Sequence, residues 1–128
     1  MKLNLDCMRD ILLCLENAGY QESLLMQQVY DALSNYQETE INYSVLKLIE
    51  ANFIEAMTCP YDNEIMIVKL DDITYTGHQF LANIRENKIW SATKSIMGKI
   101  GSTSIQTATQ IAKGIVSELV KQTILPSL

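Results

Sequence analysis

The sequence predicts a mainly α-helical protein with one β-hairpin, organised as a winged helix-turn-helix core followed by C-terminal helices. Apolar residues recur at helical spacing in three successive segments of the first 52 residues. The spacing then changes to the two-residue alternation of strands on both sides of a turn-forming segment, and helical spacing returns after it. Three helices, a hairpin and a further helix follow one another in the order of a winged helix-turn-helix.

The first helix is predicted from one apolar stripe with the spacing of a helix face. The stripe consists of Met8, Ile11, Leu12 and Leu15. Asn4 or Asp6 is available as the N-cap, because a side-chain oxygen there accepts a hydrogen bond from the unpaired N–H groups of the first turn. Gly19 is expected to end the helix as a left-handed C-cap.

Two more helices are predicted before the hairpin. The second spans about residues 24 to 35. Its inner side consists of Leu25, Val29 and Leu33. Thr39 is expected to cap the third helix. The inner stripe of the third helix consists of Ile41, Val45, Leu48 and Ile49. Asn52 takes the left-handed position after this helix, which glycine fills more often.

The hairpin is predicted from residues 53–57 and 64–70, which have the alternation of strands. The segment between them, residues 59–63, includes Pro60 and Asn63, residue types that favour turns. This hairpin would be the wing.

Helical spacing returns after the hairpin. Thr74 or Thr76 can cap a helix that buries three apolar side chains. These are Phe80, Leu81 and Ile84. The stripe of the next helix consists of Ile89, Trp90, Thr93, Ile96 and Met97. Gly98 and Gly101 mark the break after it, and the last helix spans about residues 103 to 124. We therefore expect a winged-helix-like domain over residues 1–88 and a C-terminal helical extension over residues 89–128.

Two motifs resemble a known family. They are MKLNxDxxRDILL at residues 1–13 and TxxGHxFLxNIRxxKxW at residues 74–90. Together with the phrase EANFIEA at residues 50–56, they resemble the bacterial and prophage family of unknown function numbered twenty-five thirteen. The resemblance implies a winged-helix superfamily fold in bacteria or their phages, with no assigned activity. Two residues depart from the family pattern: Asn52 stands where glycine is usual and Ala82 where aspartate is common.

Residue types for catalysis are sparse in this sequence. His78 is its one histidine, and neither a nucleophile motif nor a glycine-rich phosphate loop is present. No His and Cys cluster has the spacing of a metal site. The sequence therefore predicts a protein that is not an enzyme and that holds neither a cofactor nor a metal.

Cysteine usage and hydropathy indicate a cytoplasmic protein. Cys7, Cys14 and Cys59 form no disulfide framework, which fits reduced thiols inside a cell. No segment approaches the roughly 18 consecutive apolar residues of a membrane span, and Asp6 interrupts the start where a secretion signal would stay apolar. We expect no membrane partner.

The outer face of the third helix is the candidate binding surface. It presents Asn42, Tyr43, Leu46 and Lys47. In a winged helix this face enters the DNA major groove, where Asn42 has the amide that reads adenine and Lys47 the ammonium that meets phosphate. Residues 1–84, however, carry four basic residues against thirteen acids, and affinity for DNA comes mostly from neutralised phosphates. Tyr43 and Leu46 beside those acids suit a protein partner better.

Basic residues are concentrated after residue 84, where six of them stand against two acids. Those best placed to meet phosphates are Arg85, Lys88, Lys94 and Lys99. The same four residues also fit an ordinary solvated helix face.

The last helix carries a wide apolar arc, with small residues that allow close approach of a second helix. The arc includes Ile105, Ala108, Ala112, Ile115 and Leu119. This face must be covered by the chain's own core, by the same helix of a second subunit or by a foreign protein. We favour self-association as a homodimer.

Two functions follow from these observations. The first is a winged-helix protein of bacterial or prophage origin that binds DNA or is associated with transcription. The second is an acidic protein-interaction module, such as a phage accessory or defence-related factor, which binds a host protein and can imitate DNA. The charge distribution favours the second function, but fold analogy makes the first the preferred prediction and the second its alternative.

Overall fold

The computed structural model describes residues 1–124. This part of the chain is mainly helical, with six helices and one three-stranded antiparallel sheet. In chain order the elements are α1 (Leu5–Glu16), β1 (Leu24–Leu25), α2 (Met26–Ala32), α3 (Glu38–Glu50), β2 (Ile54–Tyr61), β3 (Glu64–Ile73), α4 (Tyr75–Ile84), α5 (Asn87–Ile100) and α6 (Ile105–Ile124). The last four residues of the predicted extension, 125–128, lie outside the described part.

Contacts divide the chain into two compact units. The N-terminal unit is Lys2–Leu81, and the C-terminal unit begins at Ala82, so that the division falls inside α4. The N-terminal unit contains the whole sheet, and the C-terminal unit contains α5 and α6. No helix within residues 1–124 has both the length and the apolar character needed to cross a bilayer.

Helix α1 begins as predicted and ends differently. Asn4 is the N-cap, since its side-chain oxygen accepts a hydrogen bond from the Cys7 N–H at 3.0 Å. All four residues of the predicted stripe are buried. The left-handed cap at Gly19 is wrong: the helix stops at Glu16, and Asn17 follows it in a right-handed conformation. The Asn17 and Ala18 N–H groups bond to Leu13 and Leu15 carbonyls, so the helix end needs no left-handed residue.

Helix α2 is shorter than predicted because its first two residues form a strand. Leu24 and Leu25 pair with Leu70 and Lys69 of β3, and Leu25 is exposed rather than on the inner side.

The predicted cap of the third helix at Thr39 is also wrong. Helix α3 starts at Glu38 after Gln37, whose carbonyl accepts the first hydrogen bonds of the helix.

Helix α3 ends as predicted, on a left-handed asparagine. Asn52 has φ 60°. Its N–H bonds to the Ile49 carbonyl, and the Phe53 N–H bonds to the Leu48 carbonyl, both at 2.9 Å. These two bonds form a Schellman motif, which satisfies the last carbonyls and turns the chain into β2.

The predicted hairpin is confirmed, and its strands are longer than expected. Cys59, Pro60 and Tyr61 are paired with β3, so the turn is reduced to Asp62 and Asn63, both with positive φ (51° and 64°). Two successive left-handed residues make the tight turn whose twist suits a two-residue hairpin. The sheet order is β1-β3-β2, so Pro60 lies on an edge strand, where its missing N–H is tolerated.

Thr74 caps helix α4, whereas Thr76 does not. The Thr74 hydroxyl accepts a hydrogen bond from the Gly77 N–H at 3.0 Å and donates to the Asn52 carbonyl at 2.6 Å. Phe80 stacks on Phe53 with ring centres 4.9 Å apart. These contacts fix the start of α4 against the junction between α3 and β2.

In the C-terminal unit, α5 and α6 form a helical hairpin across the loop 101–104. Gly101, with φ 69°, ends α5 as predicted, whereas Gly98 lies inside the helix. Three residues of the predicted stripe are buried, namely Trp90, Thr93 and Met97. Ile96 is exposed instead.

Candidate functional site

A groove opens on the N-terminal unit between helix α3 and the hairpin of β2 and β3. It encloses about 230 Å³. Its lining consists of Tyr30, Asn42, Leu46, Tyr61, Glu64, Ile65, Met66 and Ile67. We call it the α3–hairpin groove. Of the four residues predicted on the outer face of the third helix, Asn42 and Leu46 line this groove, and Tyr43 and Lys47 do not.

On the helical side of the groove, the lining changes from polar at Asn42 to apolar at Leu46. The Tyr30 hydroxyl of α2 donates a hydrogen bond to the Asn42 side-chain oxygen at 2.5 Å. This bond fixes the Asn42 amide and leaves its nitrogen, which carries two donor hydrogens, without an acceptor among the described residues. Leu46, one turn further along α3, is only partly covered.

The hairpin side of the groove is unusually apolar for a surface. Tyr61, Ile65 and Met66 are 68%, 62% and 46% exposed. Tyr61 and Met66 lie on one face of the hairpin, since Tyr61 is opposite Glu64 and Cys59 is opposite Met66, whereas Ile65, opposite Pro60, lies on the other face. Single exposed apolar residues are common, whereas several together mark an interaction surface.

The electrostatics of the groove are acidic. Glu64 stands in its lining and forms no ion pair within residues 1–124. Lys47, the predicted phosphate contact, lies 2.9 Å from the Glu50 carboxylate and over the Tyr43 ring. The hydrogen bond to Glu50 raises the pKa of Lys47, so that this lysine is charged and already paired.

The other basic residues of the N-terminal unit do not offset this acidity. The unit has four basic residues against thirteen acids. Lys69 lies 3.5 Å from Asp71, and Arg9 is buried in α1. Lys2 is exposed near the chain start.

The predicted basic residues of the C-terminal unit lie elsewhere. Arg85, Lys88, Lys94 and Lys99 are all exposed. Lys94 lies 5.9 Å from the centre of the Trp90 ring. None of them lines the α3–hairpin groove, which is built entirely from the N-terminal unit.

The residues predicted for self-association divide into covered and exposed ones. Ala108 and Ala112 are fully buried, and α6 packs against α5 in the same chain. Ile105 and Ile115 are half-buried. Leu119 is 46% exposed, and Val120 and Ile124 next to it are exposed as well. Among the described residues of α6, the exposed apolar side chains lie near its end.

A second cavity, also about 230 Å³, lies beside the end of α1 and includes exposed His78. Its carboxylates are engaged within the chain: Asp71 accepts from the Ser23 hydroxyl at 2.8 Å, and Glu22 accepts from the Gly19 N–H at 3.1 Å. Within residues 1–124, no group of three or more His, Cys, Asp and Glu side chains is placed to hold a metal ion.

The cysteines are free thiols in the described chain. Burial raises the pKa of the Cys7 and Cys14 thiols above the ordinary value. A raised pKa lowers the thiolate fraction at neutral pH, and the thiolate is the reactive form. These two side chains are therefore suited to packing rather than to nucleophilic chemistry.

Sequence reasoning missed Tyr30 and the whole hairpin side of the groove. One signal was available: residues 65–68 read Ile-Met-Ile-Val, without the polar alternation of a strand that has one solvated face. A strand with apolar side chains on both faces is expected to contact other parts of the protein, or a partner, on both faces. The pairing of Tyr30 with Asn42 has no comparable signal, since it joins two helices.

Comparisons with known proteins agree with the sequence motifs. The family described as "Hypothetical protein (DUF2513)" matches residues 2–104, which includes the N-terminal unit and α5. An "Uncharacterized protein" of Haemophilus influenzae strain Rd is 31% identical over 121 residues, or 93% of this chain and 98% of that protein. No solved structure matches the chain significantly. Because the family model matches most of this chain and the Haemophilus influenzae protein is 31% identical to it, the chain belongs to the DUF2513 family of hypothetical proteins.

Proposed function

We propose that this chain is a non-catalytic binding protein whose N-terminal unit is a variant winged helix, and that this unit binds a protein partner through the α3–hairpin groove. The observation that carries the proposal is the combination of an exposed apolar hairpin surface with an unpaired acid in the same groove. The resemblance of the motifs implies that this chain is of bacterial or phage origin, so the partner would be a protein of the bacterial host.

The order of the elements supports the winged-helix assignment. Helix α3 is followed directly by the hairpin, and β1, inserted between α1 and α2, pairs with β3 in the same sheet. This pairing ties the helical part to the wing. In winged helices that bind DNA, the third helix and the wing are the contacting elements.

Charge makes DNA the weaker candidate for the same surface. A DNA-binding face gains affinity by neutralising phosphates, with Lys and Arg side chains that are available to them. Here Lys47 is paired with Glu50, and the groove contributes Glu64. Binding of DNA through the basic residues of the C-terminal unit, with Arg85 and Lys88 among them, is the alternative.

The size of the groove suits the side chains of a partner. The α3–hairpin groove encloses about 230 Å³ and is open to solvent. A space of this size suits one or two side chains of a partner, as in the pockets that receive anchor residues at protein interfaces.

Site-directed photo-crosslinking in bacterial cells tests the proposal. p-Benzoylphenylalanine replaces Tyr61 in the groove or, as a control, Tyr75 on α4, which is similarly exposed and lies outside the groove. We expect a discrete crosslinked protein from position 61 only, and its loss when Leu46→Asp is added to a chain that still folds. Identical products from both positions, or products that survive Leu46→Asp, would overturn the proposal.

Fluorescence anisotropy with a labelled duplex of random sequence separates the two candidates. At low salt we expect no binding at tens of micromolar protein. Salt-sensitive binding that is lost when Arg85 and Lys88 are replaced by glutamine would instead establish the DNA alternative.

A further inference from the structure

Three sulfur-containing side chains share one face of the hairpin. Cys59 of β2 is directly opposite Met66 of β3, and residues opposite each other in an antiparallel pair point to the same face. Met57 lies two residues before Cys59 in β2, so its side chain points to that face as well. The register shift after Met57 inserts Val68 into β3 and leaves the alternation of β2 unbroken. We call the surface formed by Met57, Cys59 and Met66 the sulfur face.

Strand pairing brings the three sulfur atoms of this face within reach of one another. Side chains directly opposite in an antiparallel pair have Cβ atoms about 4.5–5.5 Å apart, and diagonal neighbours are within reach of long side chains. Met66 is opposite Cys59 and diagonal to Met57. A methionine sulfur lies two bonds beyond Cβ on a flexible side chain, and the cysteine sulfur lies one bond beyond it. Both thioethers can therefore turn toward the Cys59 thiol.

The sulfur face is open to solvent. Met57 and Met66 are 48% and 46% exposed, and Cys59 is half-buried. The methionines of the helices are buried instead, namely Met8, Met26 and Met97. Packing in the core therefore accounts for the helical methionines but not for the two beside Cys59, and an ion from solvent can reach all three sulfur atoms.

The donor set of the sulfur face selects one kind of metal ion. Thiolate and thioether sulfurs are soft ligands, which favour Cu(I). A zinc site needs further Cys, His or carboxylate ligands, and within residues 1–124 no group of three or more His, Cys, Asp and Glu side chains is placed to supply them. Glu55 and Glu64 point to the same face, and Lys69 beside Met57 lies 3.5 Å from Asp71. The local charge therefore favours a cation.

From this juxtaposition we infer that the sulfur face binds one Cu(I) ion through the Cys59 thiolate and the thioethers of Met57 and Met66. The thiol proton leaves to solvent as the copper–sulfur bond forms, and the metal stays Cu(I), so that no oxidant or reductant takes part. The inference is independent of the proposed function, because neither Met57 nor Cys59 lines the α3–hairpin groove.

This inference departs from the expectation that the protein holds no metal. That expectation came from the spacing of His and Cys in the sequence, which leaves methionine out. The two thioethers belong to different strands, and only the pairing of β2 with β3 brings them to one thiol.

Competition for Cu(I) tests the inference. The full-length protein, in the absence of oxygen and with ascorbate to keep copper reduced, competes with bicinchoninate, whose Cu(I) complex is coloured. Cys59→Ser removes the thiolate, and Met57→Leu and Met66→Leu remove the thioethers while side-chain volume is conserved. Cys14→Ser and Met97→Leu are the matched controls, because both residues lie on helices away from the hairpin. Circular dichroism confirms that each variant is folded.

We expect the wild type to take one Cu(I) ion per chain from bicinchoninate and to retain no Zn²⁺ against a zinc chelator. Cys59→Ser should abolish copper binding. Each leucine variant of the sulfur face should weaken it by roughly 10–100-fold, the range that follows loss of a residue supporting a metal ligand. The two control variants should bind as the wild type does.

Spectra of protein labelled with ¹³C at the methionine methyl groups report the thioethers directly. The signals of Met57 and Met66, assigned through their leucine variants, should shift when Cu(I) is added, and the other methionine signals should not. This readout does not depend on affinity.

A lone thiol that captures copper gives a different pattern. Binding would then be lost in Cys59→Ser, with no effect of either leucine variant and no shift of the methionine signals, and this result would overturn the inference. Failure of the wild type to retain copper against bicinchoninate would overturn it too, as would equal losses in Cys14→Ser and Cys59→Ser or a preference for Zn²⁺.

Discussion

The α-carbon of Gly77 in α4 lies so close to the Phe53 carbonyl that a Cβ atom at position 77 would be 2.1 Å from that oxygen. The same carbonyl accepts the Thr74 N–H at 3.0 Å, so it is not free to move away. Residue 77 must therefore be glycine for α4 to be seated on the junction between α3 and β2, which explains why Gly77 lies within the second motif.

Gly77→Ala should lower the free energy of unfolding by roughly 2–3 kcal/mol, because the added methyl group overpacks against backbone. Gly114→Ala is the matched control: it lies in α6 with nothing within 4 Å of an added Cβ. Alanine has a higher helix propensity than glycine, so Gly114→Ala should raise the free energy of unfolding by about 0.5–1 kcal/mol. Urea unfolding measures both, and an unchanged midpoint for Gly77→Ala would show that α4 is seated differently.

Asn52→Ala should lower the free energy of unfolding by about 1 kcal/mol, and Asn52→Gly should not lower it. The residue has φ 60°, a conformation that costs other L-residues roughly 1–2 kcal/mol and costs glycine little. Asn17→Ala serves as the control, since Asn17 follows α1 with φ −79°. Thermal and urea unfolding of the three variants check this, and equal losses at positions 52 and 17 would contradict it.

Tyr36→Phe should lower stability at neutral pH by about 1 kcal/mol, because the Tyr36 hydroxyl donates to the Asp10 carboxylate at 2.7 Å at a partly solvated position. Burial, followed by this hydrogen bond, raises the pKa of Tyr36 in the folded chain. Ionisation of the hydroxyl therefore favours the unfolded chain.

The stabilisation from Tyr36 is complete below the ordinary tyrosine pKa of about 10 and is lost as the pH rises above it. Wild type should consequently lose more stability than Tyr36→Phe between about pH 9 and pH 11. Tyr75→Phe, a change at an exposed tyrosine, should keep the wild-type pH dependence. If the stabilities of wild type and Tyr36→Phe changed equally with pH, the hydrogen bond between Tyr36 and Asp10 would be contradicted.

We expect self-association to use the exposed end of α6, with Leu119, because Ala108 and Ala112 are buried within one chain. We expect the sedimentation mass of the wild type to rise with concentration from 14.5 kDa toward twice that value. Leu119→Asp should hold the mass at that of the monomer, while Lys113→Gln, on the exposed polar side, should not. A wild-type mass that stays monomeric at all concentrations would exclude the homodimer.

Short-range chemistry allowed much of the fold to be predicted from the sequence. The stripe from Met8 to Leu15, the cap at Asn4 and the left-handed stop at Asn52 each depend on neighbours within one or two turns. The hairpin follows from alternation on both sides of a turn-forming segment. In each of these elements the interacting residues are close together in the sequence, so the spacing of residue types is enough to predict them.

The tertiary structure decided what distant residues do to one another. Leu24 and Leu25 are a strand because β3 supplies their hydrogen bonds, and a two-residue strand has no period of its own. The α3–hairpin groove exists because α2, α3 and the hairpin meet, and a sequence records the residues of each but not which surfaces face each other.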